Sequence, residues 1–258
     1  MDSPAVSHMP SFHNGPVEIA YLDEGEGEPI VLVHGFASNK EVNWVAPGWV
    51  TTLTRAGRRA IALDNRGHGA SSKLYEPANY DRAVMAEDVR ALLDYLDIAR
   101  ADVMGYSMGA RITANLAVAH PDLLRSAILG GVGKRLIAGG GLQAHVVQAL
   151  EALSIDDVTD PQGYMFRRFA EQTKSDLRAL AACVRGGGPP LPRAEVAALK
   201  MPVLIAVGTK DTIAGPPHEL AELIPQARVL SIPDRDHMLA VGDRVYKNGV
   251  LAFLRDRP

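Results

Sequence analysis

Residues 105–109, Gly105-Tyr106-Ser107-Met108-Gly109, spell G-x-S-x-G, and their flanks suit that motif. Residues 101–104 form a short apolar run that reads as a strand, and residues 110–119 read as a helix. A serine between the two must make a very sharp turn. Glycines flank it because side chains there would collide with the neighbouring strand and helix. The product is an exposed hydroxyl beside the first amides of a helix. A serine hydroxyl is a poor nucleophile near neutral pH. It needs a general base, and that base needs a group to hold its tautomer. In a parallel sheet, loops leaving the carboxyl ends of strands share one edge. Asp211 follows an apolar run ending at Val207, and His237 follows one ending at Ile232. The pattern therefore brings Ser107, Asp211 and His237 to one edge, in the chain order Ser, Asp, His.

The chain holds eight histidines, so the base has competitors. His218 also follows Asp211, but it opens a helix after Pro216-Pro217. His34 and His68 sit in glycine-rich turns, which suits packing or loop hydrogen bonds. His120 precedes Pro121 at a helix end, His8 and His13 lie near the N-terminus, and His145 falls in a later helical segment. Asp236 adjoins His237, but neighbouring side chains diverge, and it reads as loop-stabilising. Acyl transfer also needs donors for a developing oxyanion. The Met108 N–H is one candidate. The Phe36 N–H is the second, because His34-Gly35-Phe36 follows the apolar run 30–33 on the same edge and Gly35 lets the backbone approach closely.

These residues need a frame to hold them. Residues 17–23, 30–33, 59–63, 124–129, 203–207 and 228–232 read as further strands. Residues 50–56, 81–96 and 241–254 read as helices; in 81–96 the apolar positions Val84, Met85, Val89, Leu92, Leu93 and Leu96 follow helical spacing. Strands alternating with helices imply a parallel sheet with right-handed crossovers, covered on both faces. The alternation fails over residues 133–200, where helical segments near 142–153, 161–183 and 193–199 are bordered by glycine-rich stretches. This stretch reads as a helical cap inserted into a core made of residues 1–132 and 201–258.

The composition narrows the function classes. Hydrophobic residues make up 47% of the 258, enough for a sizeable core in one α/β domain with an insertion. The net charge of −3 and the lack of a basic tract interleaved with aromatics argue against nucleic acid. No apolar run approaches a membrane span, and residues 1–12 lack the basic start and apolar stretch of a secretory signal. A single cysteine, Cys183, excludes an internal disulfide and fits a reducing compartment, so a cytoplasmic location is expected. Cys183 itself reads as an inert helix residue. Residues 130–135, Gly-Gly-Val-Gly-Lys-Arg, resemble a phosphate loop but lack its first glycine and the Ser/Thr after the lysine. No His-Glu-x-x-His or cysteine pair offers a metal site.

Taken with residues 64–71, Asp-Asn-Arg-Gly-His-Gly-Ala-Ser, which read as a structural loop, and with Gly208-Thr209-Lys210-Asp211 and Asp236-His237, these motifs make nearly the whole chain resemble the α/β-hydrolase superfamily. The resemblance implies an eight-stranded, mostly parallel sheet, helices on both faces, an inserted lid, and Ser107, Asp211 and His237 as nucleophile, acid and base. Within the superfamily the chain resembles the branch of small-lid esterases, enol-lactonases and cofactor-free haloperoxidases. A serine nucleophile sets it apart from the dehalogenases, which use Asp, and the dienelactone hydrolases, which use Cys.

The expected function is hydrolysis of a carboxylic ester or related small acyl compound through an acyl-enzyme, with no cofactor. C–C bond hydrolysis of ring-cleavage products and perhydrolysis use the same triad and stay open. A ligand receptor that kept the fold is the rival from another class. For the substrate pocket, the 133–200 segment supplies Leu142, Val146, Val147, Leu150, Tyr164, Met165, Phe166 and Phe169. Some of these form the segment's own core and some face the site; Phe166 and Phe169, together with Trp44, are the candidates for substrate contact. Trp44 and Trp49 either line the entrance or pack on the sheet.

Overall fold

The computed structural model describes residues 10–140 and 144–257. Leu142 and His8 lie outside the described residues. Eight strands form one sheet: β1 (Ser11–Asn14), β2 (Val17–Glu24), β3 (Glu28–Val33), β4 (Arg58–Leu63), β5 (Ala101–Tyr106), β6 (Leu124–Gly130), β7 (Val203–Gly208) and β8 (Ala227–Ile232). Their spatial order is β1-β2-β4-β3-β5-β6-β7-β8, antiparallel for β1–β2 and β2–β4 and parallel from β4 onward. The eight-stranded, mostly parallel α/β architecture is therefore as expected. The apolar pattern of the sequence does not mark β1. It has only four residues, and it closes on β2 through a two-residue turn in which Gly15 takes φ 59°.

Strict alternation in the central strands splits the core in two. Val31 and Val33 of β3, Ile61 and Leu63 of β4, and Val203 and Ile205 of β7 point to one face, where α2 (Arg82–Tyr95) and α3 (Met108–Ala119) cover them. Ile30, Leu32, Ala60, Ala62, Leu204 and Ala206 point to the other, beneath α1 (Trp49–Arg55) and α10 (Arg244–Asp256). Both faces exclude water, which explains why these strands read as unbroken apolar runs. Helix α2 begins where Asp81 accepts the Ala83 N–H at 2.9 Å, and α10 where Asp243 accepts the Val245 N–H at 2.7 Å. Each cap contributes about 1 kcal/mol. Met85, Val89, Leu92 and Leu93 form the buried stripe of α2; Val84, expected there, is 38% exposed.

Between β6 and β7 the described residues form helices α4 (Arg135–Ala138), α5 (Ala144–Glu151), α6 (Pro161–Gln172), α7 (Leu177–Arg185) and α8 (Arg193–Ala197), and no strand. The continuous helical segment expected over residues 161–183 is in fact two helices. Lys174 takes φ 52°, which ends α6, and Asp176 caps α7 by accepting the Ala179 N–H at 2.9 Å. The Thr173 hydroxyl donates to the Ala37 carbonyl at 2.9 Å, tying the end of α6 to the loop after β3. A short helix α9 (His218–Ala221) lies between β7 and β8. Among the described residues no helix is long and apolar enough to cross a membrane.

Candidate active site

Ser107 sits between β5 and α3 with φ 55° and ψ −109°, a conformation few side-chain-bearing residues adopt. Close backbone packing holds it there. A Cβ on Gly105 would collide with the Gly109 carbonyl, and one on Gly109 would collide with the Val33 carbonyl. The Ser107 N–H donates to the Gly130 carbonyl at 2.7 Å, pinning the turn to β6. Any larger residue at 105 or 109 would push α3 off the sheet.

Asp211 leaves the carboxyl end of β7 and His237 that of β8, and the structure brings both to Ser107. His237 Nδ1 lies 2.7 Å from Asp211 Oδ2, and His237 Nε2 lies 2.8 Å from Ser107 Oγ. An ionised carboxylate can only accept, so Nδ1 carries the proton and Nε2 is free to accept from the serine hydroxyl. The other Asp211 oxygen accepts the Ile213 and Ala214 amides at 2.8 and 2.9 Å, which fixes the carboxylate plane. The Asp211 side chain is fully buried and that of His237 is 7% exposed.

Other groups hold this arrangement, and sequence reasoning missed them. The Tyr106 hydroxyl donates to the His237 carbonyl at 2.6 Å, anchoring the histidine loop to β5. Burial first, and then the nearby Asp211 carboxylate, push the Tyr106 phenol well above its ordinary pKa, so it stays a donor. The identity of residue 106 inside the G-x-S-x-G motif was the available signal. Asp236, read as loop-stabilising, accepts the Met238 and Leu239 amides at 3.0 and 2.9 Å.

The loop after β3 approaches from the other side. A Cβ on Gly35 would lie 3.3 Å from the Tyr106 carbonyl oxygen and 3.5 Å from Ser107 Cβ. The Gly35 N–H donates to Asn43 Oδ1 at 3.0 Å, which turns the following peptide. Among the described residues, no protein acceptor meets the Phe36 or Met108 amide. For Met108 this follows from its place as the first residue of α3.

Two histidines support this loop from below. His34 Nδ1 donates to the Gly35 carbonyl at 2.7 Å and Nε2 accepts the Asn65 N–H at 3.0 Å, so the ring is neutral. Burial lowers the pKa of His34 and takes that of His68 down to about 3. Asp64 beside them accepts from the Lys40 ammonium at 2.8 Å, the Lys40 amide at 2.7 Å and the Ala70 amide at 2.8 Å. Burial works against the Asp64 carboxylate, and the Ala70 and Lys40 donors hold its pKa below the usual value. The 64–71 loop is thus structural, as its sequence suggested.

Two cavities meet at Ser107. One, of about 310 Å³, runs past His237 and is lined by Phe36, Phe166, Phe169 and Leu239. The other, of about 260 Å³, runs under the 133–200 helices and shares Phe36 and Phe166. Phe166 stacks edge-on to Phe36 with ring centroids 5.7 Å apart. Val146, Val147 and Leu150 are buried within the apolar core instead. Trp44, expected as an entrance residue, is not at the site. It is fully buried on the α1/α10 face, edge-on to Trp49, which in turn donates its indole N–H to the Val241 carbonyl at 2.6 Å. Trp44 lies in a single π-helical turn, Glu41–Val45, just ahead of α1. His218, the competing base, stands at the start of α9, and Cys183 is buried in α7.

A family model described as alpha/beta hydrolase fold matches residues 28–176. The chain is 34% identical over 246 residues to the dihydrolipoyllysine-residue acetyltransferase component of the acetoin cleaving system of Pseudomonas putida. That match covers 89% of this chain and 64% of the relative, so the chain spans less than two thirds of that protein's length. Among solved structures, the enol-lactonase from Burkholderia xenovorans LB400 superposes with a TM-score of 0.75 at 25% identity, over 96% of this chain and all of that one (100%). A hydrolase from Pseudomonas aeruginosa shares the fold with a TM-score of 0.78 at 24% identity, over 96% of this chain and 99% of that one.

Proposed function

Because this chain belongs to the alpha/beta-hydrolase-fold family, we propose that it is a serine hydrolase that cleaves carboxylic esters or related small acyl compounds through an acyl-enzyme. The observation that carries this reading is His237 standing between Asp211 and Ser107 at 2.7 and 2.8 Å. Ser107 Oγ attacks the acyl carbonyl as His237 Nε2 takes its proton. Asp211 keeps the imidazole in the accepting tautomer and stabilises the imidazolium that forms. The Phe36 and Met108 amides receive the oxyanion; one such donor is worth about 10²–10³ in rate. His237 then gives its proton to the leaving alkoxide, and the C–O bond breaks. Water enters, loses a proton to His237, attacks the acyl carbon, and releases the acid and Ser107. The serine proton leaves with the alcohol and a proton from water replaces it through His237, so the site is regenerated without a cofactor. Residues 133–200 act as the cap, with Phe166 and Phe169 as its contacts to the acyl group.

The test is a methyl and aryl ester screen on the purified protein, with a fluorophosphonate label to mark an activated serine. Ester turnover and labelling in the wild type, both lost in Ser107→Ala, are expected. A folded wild type that neither turns over any ester nor takes the label refutes the reading. Ring-cleavage products, and peroxide with a short carboxylic acid, belong in the same screen, since the same triad serves both alternatives.

A further inference from the structure

The cavity of about 260 Å³ beside Ser107 has an unusual charge balance. Its charged lining residues are Arg82, Arg111, Arg135 and Arg185, with no Asp or Glu among them. Arg185 is neutralised by Glu151, at 2.7 Å through both nitrogens. The other three take part in no ion pair among the described residues. Two arginines buried elsewhere do, Arg66 with Asp88 and Arg167 with Glu171. Arg82 reaches only the Tyr80 carbonyl and two sulfur atoms, and its Nε is buried without a partner. Burial, then Arg82 and Arg135, bring Arg111 down to about 10. Arg82 and Arg111 also occupy the first turns of α2 and α3, where the helix dipole disfavours a cation. Three half-buried cations held close and unpaired are costly unless an anion joins them.

Position says where that anion sits. Arg111 follows Ser107 by about one turn of α3, its amide donating to the Ser107 carbonyl at 3.2 Å, so the two residues are about 6 Å apart along the axis. Val132, Leu136 and Phe166 line the same cavity and suit methylene groups. We propose that this cavity binds a carboxylate at the far end of the acyl chain, so that the substrate of Ser107 is a half-ester of a short dicarboxylic acid or a close relative. A planar carboxylate matches the guanidinium fork, and charge-assisted pairs of this kind are about twice as strong as neutral hydrogen bonds. This inference rests on the serine-hydrolase reading for the reaction, though not for the binding.

The experiment compares monomethyl glutarate with methyl valerate, which share a five-carbon acyl chain, by pH-stat in wild type, Arg111→Met, Arg111→Lys and Arg135→Met. In the wild type, kcat/KM is expected to favour the half-ester at least tenfold. In Arg111→Met the ratio of the two should fall by about 10- to 100-fold, and Arg111→Lys should keep part of it. Equal kcat/KM for the two esters in the wild type overturns the proposal, as does a ratio that survives both Met variants. Calorimetry with free glutarate gives a readout that needs no turnover. Binding by the wild type that weakens at least tenfold in Arg135→Met supports the site even if neither ester is cleaved, in which case only the hydrolase reading falls. Ester cleavage without glutarate binding, or tighter binding of inorganic phosphate than of glutarate, overturns the carboxylate assignment.

Discussion

The carboxyl edge of the sheet and the helices between β6 and β7 both face Ser107, yet they are built by opposite means. At the edge, main chain does the positioning. Gly105 and Gly109 admit no side chain, Gly35 comes within van der Waals reach of the serine, and backbone amides fix Asp211. In the helices, side chains do it: Phe166 packs on Phe36, Thr173 bonds the Ala37 carbonyl, and Arg135 faces the cavity. An edge made of backbone leaves little room for variation and fixes the reaction. A wall made of side chains can be refaced without moving the edge, and under the proposed function it sets the choice of substrate.

That contrast can be broken at several depths. Ser107→Ala should remove nearly all ester turnover, a loss approaching the roughly 10⁶ seen when a triad fails on another fold. Its circular dichroism and melting temperature should match the wild type, since no structural hydrogen bond but the one to His237 uses Oγ. Asp211→Asn should cost about 10⁴ in kcat with a much smaller change in KM, because an amide beside Nδ1 favours the wrong tautomer. Wild-type turnover by either folded variant places the chemistry somewhere other than this edge.

Acid should also act on the edge. His68, at 0% exposure, has its pKa lowered from 6.5 to about 3, so below pH 6.5 the unfolded chain binds a proton that the folded one refuses. Stability is then complete above about pH 7 and declines as pH falls towards 3, by about 2 kcal/mol at pH 5 from His68 alone. Asp64, held low, adds a loss only at still lower pH, as its carboxylate takes a proton in the fold. Urea denaturation at pH 7.5 and pH 5 measures this; a flat profile would mean that the buried histidines are charged or the loop is open.

The smallest effects belong to the helical wall. Phe169→Ser should shift the octanoate-to-acetate preference by about tenfold, since a pocket contact of this kind is worth about 1–3 kcal/mol, with little change in melting temperature. Phe166→Ser should lose stability as well, because that ring is only 5% exposed and packs on Phe36. Unchanged ratios in both would remove these rings from the pocket.

The sequence was most legible where local rules dominate. Unbroken apolar runs marked the doubly covered strands, and glycines forced by close approach marked the serine turn. Strand ends then gave Asp211 and His237 their common edge. Long-range geometry was much less legible. Which sheet face covers Trp44 is settled by packing against Trp49 and α10, partners far along the chain or unmarked by local pattern. The break at Lys174 uses neither Gly nor Pro. Lys40 meets Asp64 from 24 residues away, and the isolation of Arg82, Arg111 and Arg135 from acids exists only once the chain is folded. An arginine at the fourth position after Ser107, the one charged residue in 108–119, was the visible hint of the last.

The backbone at Ser107 has a further consequence for how such a protein can change. Its φ of 55° and ψ of −109° are enforced by two glycine contacts and by the N–H hydrogen bond to the Gly130 carbonyl, none of which involves the hydroxyl. Position 107 is therefore a socket, holding whatever short side chain a codon supplies at the same point before His237. A thiol or a carboxylate placed there would inherit the perch without a new fold having to be found. The strain belongs to the scaffold and the reactivity to the occupant, so lineages and engineers alike can exchange one without renegotiating the other.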